Sequence, residues 1–243
     1  MLLASLREEV LAANLALVRS GLVQFTFGNA SGISRKDGLV AIKPSGVAYD
    51  ELTPEMMVVT DLDGRVVESN LRPSSDLPTH LEIYKHFPNV GGVVHTHSAA
   101  ASAWAQADKP IPCFGTTHAD YFHGAIPVTK HLTPEEIGGE YERETGLAIA
   151  RAFDGLDPDA IPAVLVSGHA PFTWGRDAAD AVHHAEVLEY VAAMATATVT
   201  INPAATPLAR ELHDRHFLRK HGPKAYYGQG TTPRTSSKGE NHG

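Results

Sequence analysis

Apolar residues recur at Leu3, Leu6, Val10, Leu11, Leu15 and Val18, close to the spacing of one helical face, and Gly21 follows as a stop. A helix is therefore predicted over residues 2–20. Beyond it the period shortens. The runs Val23–Phe27, Gly32–Arg35, Leu39–Lys43, Met57–Asp61 and Arg65–Glu68 read as strands, and Asp37-Gly38 and Asp63-Gly64 between them favour hairpin turns. So much local pairing implies a largely antiparallel sheet. Ser74-Ser75-Asp76 with Pro78 marks a helix start. Gly91–His97 reads as a buried strand, followed by an alanine-rich helix over 98–107. Helices are predicted over 134–154, 177–198 and 207–220, and strands at Ala163–Ser167 and Phe172–Trp174. No repeat or long linker interrupts the pattern. The expected organisation is one α/β domain over 1–230 and a polar, disordered tail over 231–243.

Composition narrows the class. The chain has 243 residues, 43% of them hydrophobic, enough to bury one substantial core. A formal charge of −8 argues against nucleic acid as the main partner, because phosphate backbones demand clustered Lys and Arg. An acidic protein can still hold an anion in a local pocket of amides and a few cations. Cys113 is the only cysteine, which excludes an internal disulfide and fits a reducing compartment. Arg7, Glu8 and Glu9 interrupt the first apolar stretch too early for a signal-peptide core. The run Val191–Ile201 is short and threaded with Thr196, Thr198 and Thr200, so it reads as a buried helix end and not a membrane span. A cytoplasmic enzyme without membrane or nucleic-acid partners is expected.

Candidate chemistry centres on His95-Thr96-His97. Residues two apart on a strand share a face, so both imidazoles can meet one ion, or they can be two histidines on a polar strand face. His169, in the glycine-flanked turn Ser167-Gly168-His169, is either a third ligand or an ordinary loop histidine. Asp76 either adds a carboxylate or caps the helix that follows it. Three histidines with a carboxylate suit Zn²⁺ and leave room for substrate.

Longer segments give these residues a context. Gly28-Asn29-Ala30-Ser31, Lys43-Pro44-Ser45-Gly46, Pro73-Ser74-Ser75-Asp76, His95-Thr96-His97 and Gly115-Thr116-Thr117-His118-Ala119-Asp120-Tyr121 occur in this order. Together they resemble the class II aldolase/adducin family. The closing run His216-Phe217-Leu218-Arg219-Lys220-His221-Gly222, then Lys224-Ala225-Tyr226-Tyr227-Gly228-Gln229, resembles its epimerase branch, and the likeness spans roughly residues 5–229. The resemblance implies a three-layer α/β/α subunit with a mainly antiparallel sheet, assembled as a four-fold homotetramer with active sites at subunit interfaces. It implies one Zn²⁺ at His95, His97 and His169 with Asp76 at or near the ion. It makes Asp120 and Tyr227 the proton carriers, the tyrosine supplied by a neighbour, with His118 and His216 in support. The chain also departs from relatives: Ser167 stands where some carry an additional histidine, Asp76 where aldolases tend to have Glu, and Phe27 where Trp is more usual.

The reaction implied is interconversion of L-ribulose 5-phosphate, which arises in arabinose and in ascorbate-type catabolism, with D-xylulose 5-phosphate. The C4 hydrogen of that ketose is not α to the C2 carbonyl, so simple deprotonation leaves an unstabilised carbanion. Transient oxidation needs a nicotinamide, and no Gly-x-Gly-x-x-Gly follows a strand, so no NAD is expected. Cleavage of C3–C4, rotation of glycolaldehyde phosphate and re-addition inverts C4 without a redox cofactor. Gly28, Asn29, Ser45, Gly46, Ser74 and Ser75 offer donors for the phosphate, and Lys43 the cation; singly each segment also reads as an ordinary turn. Two alternatives stand beside this: a sugar-phosphate aldolase of the L-fuculose-1-phosphate type, and a non-catalytic adducin-like interaction domain.

Overall fold

The computed structural model describes residues 1–222 and Ala225; Tyr227 and the expected tail over 231–243 lie outside the described residues. Helix α1 (Ala4–Arg19) leads into strands β1 (Gly28–Ser34), β2 (Leu39–Ile42), β3 (Val58–Asp61) and β4 (Val66–Glu68). Helix α2 (Leu77–His86), strand β5 (Gly92–Thr96) and helix α3 (Ala99–Gln106) follow. Short helices α4 (Thr116–Ala119) and α5 (Pro134–Gly138) precede α6 (Tyr141–Ala152), strands β6 (Ala163–Leu165) and β7 (Pro171–Gly175), and helices α7 (Ala178–Ile201) and α8 (Arg210–His221). The seven strands form one sheet in the order β4-β3-β2-β1-β5-β7-β6, antiparallel at every pairing.

Strand alternation builds two cores from this sheet. Val40 and Ile42 of β2 enter one while Ala41 enters the other, and Val58/Val59 and Val93/Val94 divide the same way. Helices α2 and α6 close the first core with Leu81, Tyr84, Ile149 and Phe153. Helix α1 and the first half of α7 close the second with Val10, Leu17, Ala181 and Ala185. Two cores on opposite faces of one sheet make a three-layer α/β/α unit, as expected. Arg7, read above only as an interruption, is buried and fastens α1 to the sheet edge by donating to the carbonyls of Met57 (2.7 Å) and Glu68 (3.1 Å) and to the Glu68 carboxylate (2.9 Å).

Several boundaries differ from the sequence-based expectation. Val23–Phe27 is not a strand. Phe25 takes a left-handed φ of 56°, a turn bond joins Phe27 N–H to the Gln24 carbonyl, and Phe25 and Phe27 project outward while only Val23 is buried. The helix over 134–154 is two helices, broken at Gly138-Gly139 behind a capping box of Thr133 and Glu136. The last turn of α7 is not a buried helix end, since Ile201 is exposed there and Thr198 and Thr200 bond back along the helix. Among the described residues no helix is long and apolar enough to cross a membrane.

The first turn of α7 rests directly on β5, and glycine permits it. A Cβ on Gly92 would stand 2.4 Å from the Asp177 carbonyl and the Ala178 nitrogen, all backbone. Gly92→Ala should therefore cost at least about 2 kcal/mol, lowering the thermal midpoint by about 4–8 °C. A scanning-calorimetry midpoint within a degree of the parent would contradict this packing.

Candidate metal centre and active site

Two separated stretches of backbone bring three imidazoles together. β5 lies between β1 and β7, so His95 pairs with Asn29 on one side and Phe172 on the other. The His95 ring stacks on Phe172 (centroids 4.2 Å apart, 19° between planes) and donates Nδ1–H to the Pro171 carbonyl at 2.9 Å. A carbonyl can only accept, so the proton sits on Nδ1 and the Nε2 lone pair is left for a ligand. His97 lies one residue past the end of β5, yet its ring still meets that of His95. The β6–β7 hairpin supplies His169: Gly168 turns the chain at φ 67°, its N–H bonded to the Ala105 carbonyl, and His169 N–H bonds the Val166 carbonyl.

The three Nε2 atoms converge, with His97 3.1 Å from His95 and 3.3 Å from His169. All three ligand nitrogens lie within 4.8 Å of one another. Four-coordinate zinc with Zn–N bonds of roughly 2.0–2.1 Å places ligand nitrogens about 3.3 Å apart, so the donor set fits that ion. Burial pushes the pKa of His95 down to about 3 and lowers those of His97 and His169, keeping the rings neutral at ordinary pH.

Asp76 lines the same cleft but is not among the converging donors. Nor does it cap α2: no side-chain capping bond is made, and its Oδ2 instead accepts from the Asn29 amide at 2.6 Å. Burial opposes its ionisation, but His95, His80, the Asn29 bond and His169 prevail and hold its pKa below the usual carboxylate range. The cleft, about 340 Å³, is lined by every residue named above for phosphate: Gly28, Asn29, Lys43, Ser45, Gly46, Ser74 and Ser75. Ser45 N–H to the Arg72 carbonyl and Ser74 N–H to that of Lys43 join two of these loops. The Asn29 side-chain amide donates to Ser74 and Asp76, which occupies both of its N–H groups.

Asp120 belongs to a different cluster. It follows α4 and accepts from Arg219 (2.8 and 2.9 Å) and from His216 Nδ1 (3.0 Å), with Lys220 Nζ 3.5 Å away. Burial opposes its charge, but Arg219, His216 and Lys220 keep its pKa low. Within one chain neither Asp120 nor its partners line the histidine cleft. His118 is buried and donates Nε2–H to the Gly124 carbonyl at 2.7 Å. Tyr227 lies outside the described residues.

Sequence reasoning did not single out the buried chain behind the three imidazoles, in which Ser31 Oγ lies 2.7 Å from both His80 Nδ1 and Tyr84 OH. The four-residue spacing from Asp76 to His80 to Tyr84 on α2 was its only trace. Arg219 and Lys220 were noted only as part of a run.

The family profile described as "Class II Aldolase and Adducin N-terminal domain" matches residues 8–196. Over 224 residues, 92% of this chain and 98% of the relative, the sequence is 55% identical to "L-ribulose-5-phosphate 4-epimerase UlaF" of Salmonella paratyphi B (strain ATCC BAA-1250 / SPB7). The protein of that name from Salmonella paratyphi A (strain ATCC 9150 / SARB42) is 54% identical over the same span. Among solved structures, an L-fuculose 1-phosphate aldolase superposes with a TM-score of 0.77 at 25% identity, covering 87% of this chain and 94% of that one. An L-fuculose-1-phosphate aldolase from Thermus thermophilus shares the fold at TM-score 0.63 and 22% identity, over 84% and 98% of the two chains.

Burial lowers the pKa of His118 to about 4, against 6.5 for a free imidazole. Between those values the unfolded chain takes up a proton that the folded chain refuses. Stability from this group is thus complete above pH 6.5 and is lost as pH falls toward 4. With chelator present throughout, His118→Gln should flatten the pH dependence of the unfolding free energy between pH 4 and 6.5. Urea titrations with identical slopes for parent and variant would refute it.

Proposed function

This chain belongs to the class II aldolase/adducin family, and we propose that it is a zinc-dependent L-ribulose-5-phosphate 4-epimerase interconverting L-ribulose 5-phosphate and D-xylulose 5-phosphate. The observation that carries this reading is the convergence of three imidazole Nε2 atoms in a cleft that also holds a buried lysine. Likeness along nearly the whole chain to proteins named as that epimerase selects among the family's reactions.

In the proposed mechanism His95, His97 and His169 hold the ion, with Asp76 beside them. When bound, zinc supplies the Lewis acid that holds negative charge on the ketone-derived fragment. Lys43 and the backbone and hydroxyl donors of Gly28-Asn29, Ser45-Gly46 and Ser74-Ser75 bind the phosphate. The C4 hydroxyl is β to the C2 carbonyl, so removing its proton allows C3–C4 to break and release glycolaldehyde phosphate. The aldehyde turns over and re-adds through its other face. Asp120 and Tyr227 are the two proton carriers of this mechanism, one taking the C4 hydroxyl proton and the other returning one to the new C4 oxygen. His216, bonded to Asp120, and His118 hold this acid–base pair in place.

The proposal includes the homotetramer of four-fold symmetry that the family resemblance implies, and the separation of Asp120 from the histidine cleft of its own chain is consistent with sites at subunit interfaces. Each active site then joins the histidine cleft of one subunit to acid–base residues of a neighbour. One catalytic domain over residues 1–230, working in the cytoplasm on a small sugar phosphate, completes the reading.

A coupled assay for D-xylulose 5-phosphate tests it directly. Activity should vanish with chelator and return with zinc, and Asp120→Asn and Tyr227→Phe should each cut turnover by about 10²-fold. Faster cleavage of L-fuculose 1-phosphate by the same sample would make the protein an aldolase. A zinc-free protein inactive on both sugars would leave an interaction domain.

A further inference from the structure

Lys43 is 2% exposed, and no carboxylate among the described residues pairs with it. Its ammonium donates to the carbonyls of Val47 (2.9 Å) and Pro44 (3.3 Å) and lies 4.7 Å from the centre of the Tyr49 ring. Burial lowers its pKa, because two carbonyl dipoles and a ring face do not replace water around a cation. The remaining positive charge is uncompensated until an anion enters the cleft.

Tyr49 does more than face the lysine. It occupies a short 3₁₀ turn (Tyr49–Glu51), is 7% exposed, and donates its hydroxyl to the Gly28 carbonyl at 2.7 Å. Gly28 is itself pressed against β5: at φ 129°, a Cβ there would stand 2.9 Å from the His95 carbonyl. One side chain thus touches the cation on the β2 side of the cleft and the backbone on the β1 side. That backbone in turn abuts the strand bearing the metal ligands. Either contact alone is ordinary packing. Together they fix the distance between the ammonium and the glycine turn.

We infer that Tyr49 is the positioning residue of the anion subsite, holding Lys43 over its ring and Gly28 at its hydroxyl so that both meet one phosphate. The inference rests on the proposed role of Lys43 as the phosphate cation, and the experiment separates the two. Zinc-loaded parent, Tyr49→Leu, Tyr49→Phe and Lys43→Met are compared for KM and kcat with L-ribulose 5-phosphate, for inhibition by inorganic phosphate, and for thermal midpoint. Tyr49→Leu should raise KM and the phosphate inhibition constant together by about tenfold, with kcat within about threefold of the parent. Tyr49→Phe keeps the ring beneath the ammonium and should shift both by about threefold or less, a partial rescue that generic core damage does not give.

If Lys43→Met raises the phosphate inhibition constant and Tyr49→Leu leaves it unchanged, the inference about Tyr49 is overturned while the phosphate site stands. If Lys43→Met leaves it unchanged, the role of Lys43 fails first. A fall in kcat or thermal midpoint without a change in KM would make Tyr49 a packing residue only. Should Tyr49→Leu not fold, Tyr49→Met carries the same comparison.

Discussion

Everything in this site depends on three neutral imidazoles being held with their Nε2 atoms toward one point. Facing lone pairs repel, and at 3.1–3.3 Å the arrangement is favourable only around a shared proton or a cation. Protein around the rings enforces it. Proline at 171 offers a carbonyl that accepts the His95 Nδ1–H hydrogen bond, Phe172 stacks beneath the ring, and a left-handed glycine aims His169 from the adjoining hairpin. Burial then keeps the rings unprotonated, which is the form a metal binds.

The rest of the cleft follows from where strand ends and loops meet this point. β1 and β5 are neighbours, so Gly28 and Asn29 at the start of β1 arrive beside the histidines. The loop after β2 and the segment before α2 are tied together by backbone bonds, which brings Lys43 and Ser74-Ser75-Asp76 to the same wall. A lysine with no carboxylate partner among the described residues thus lies beside three imidazoles suited to a metal ion. The acid–base candidates obey a different logic. Asp120 sits among Arg219, His216 and Lys220, a charge environment that holds it ionised.

How much of this was legible in the chain differs by scale. Hairpins at Asp37-Gly38 and Asp63-Gly64 and the helices α1, α2, α3 and α7 came within a few residues, because period and turn chemistry are local. The Val23–Phe27 strand failed because alternation alone does not reveal that the chain must turn at Phe25 to deliver Gly28 into β1. The helix over 134–154 failed at the Gly138-Gly139 pair, where Gly139 leaves helical geometry at φ −97° and ψ −132°. Tyr49 and His80 escaped notice, and Ser31 stood only as part of a motif, since each is an ordinary core residue until its distant partner in the chain is known.

By itself the sequence determined most element types and the antiparallel sheet, and it narrowed the candidates for metal and phosphate to a short list, since these follow from side-chain chemistry and spacing. Only the tertiary structure decided which of those residues meet. His95 and His97 were neighbours already, but His169 is 72 positions away from His97, and only the pairing of β7 with β5 joins them. The same holds for Asp76, read from sequence as either a helix cap or a ligand: its carboxylate turns to Asn29 because strand order, a long-range property of the packed core, puts that amide within reach.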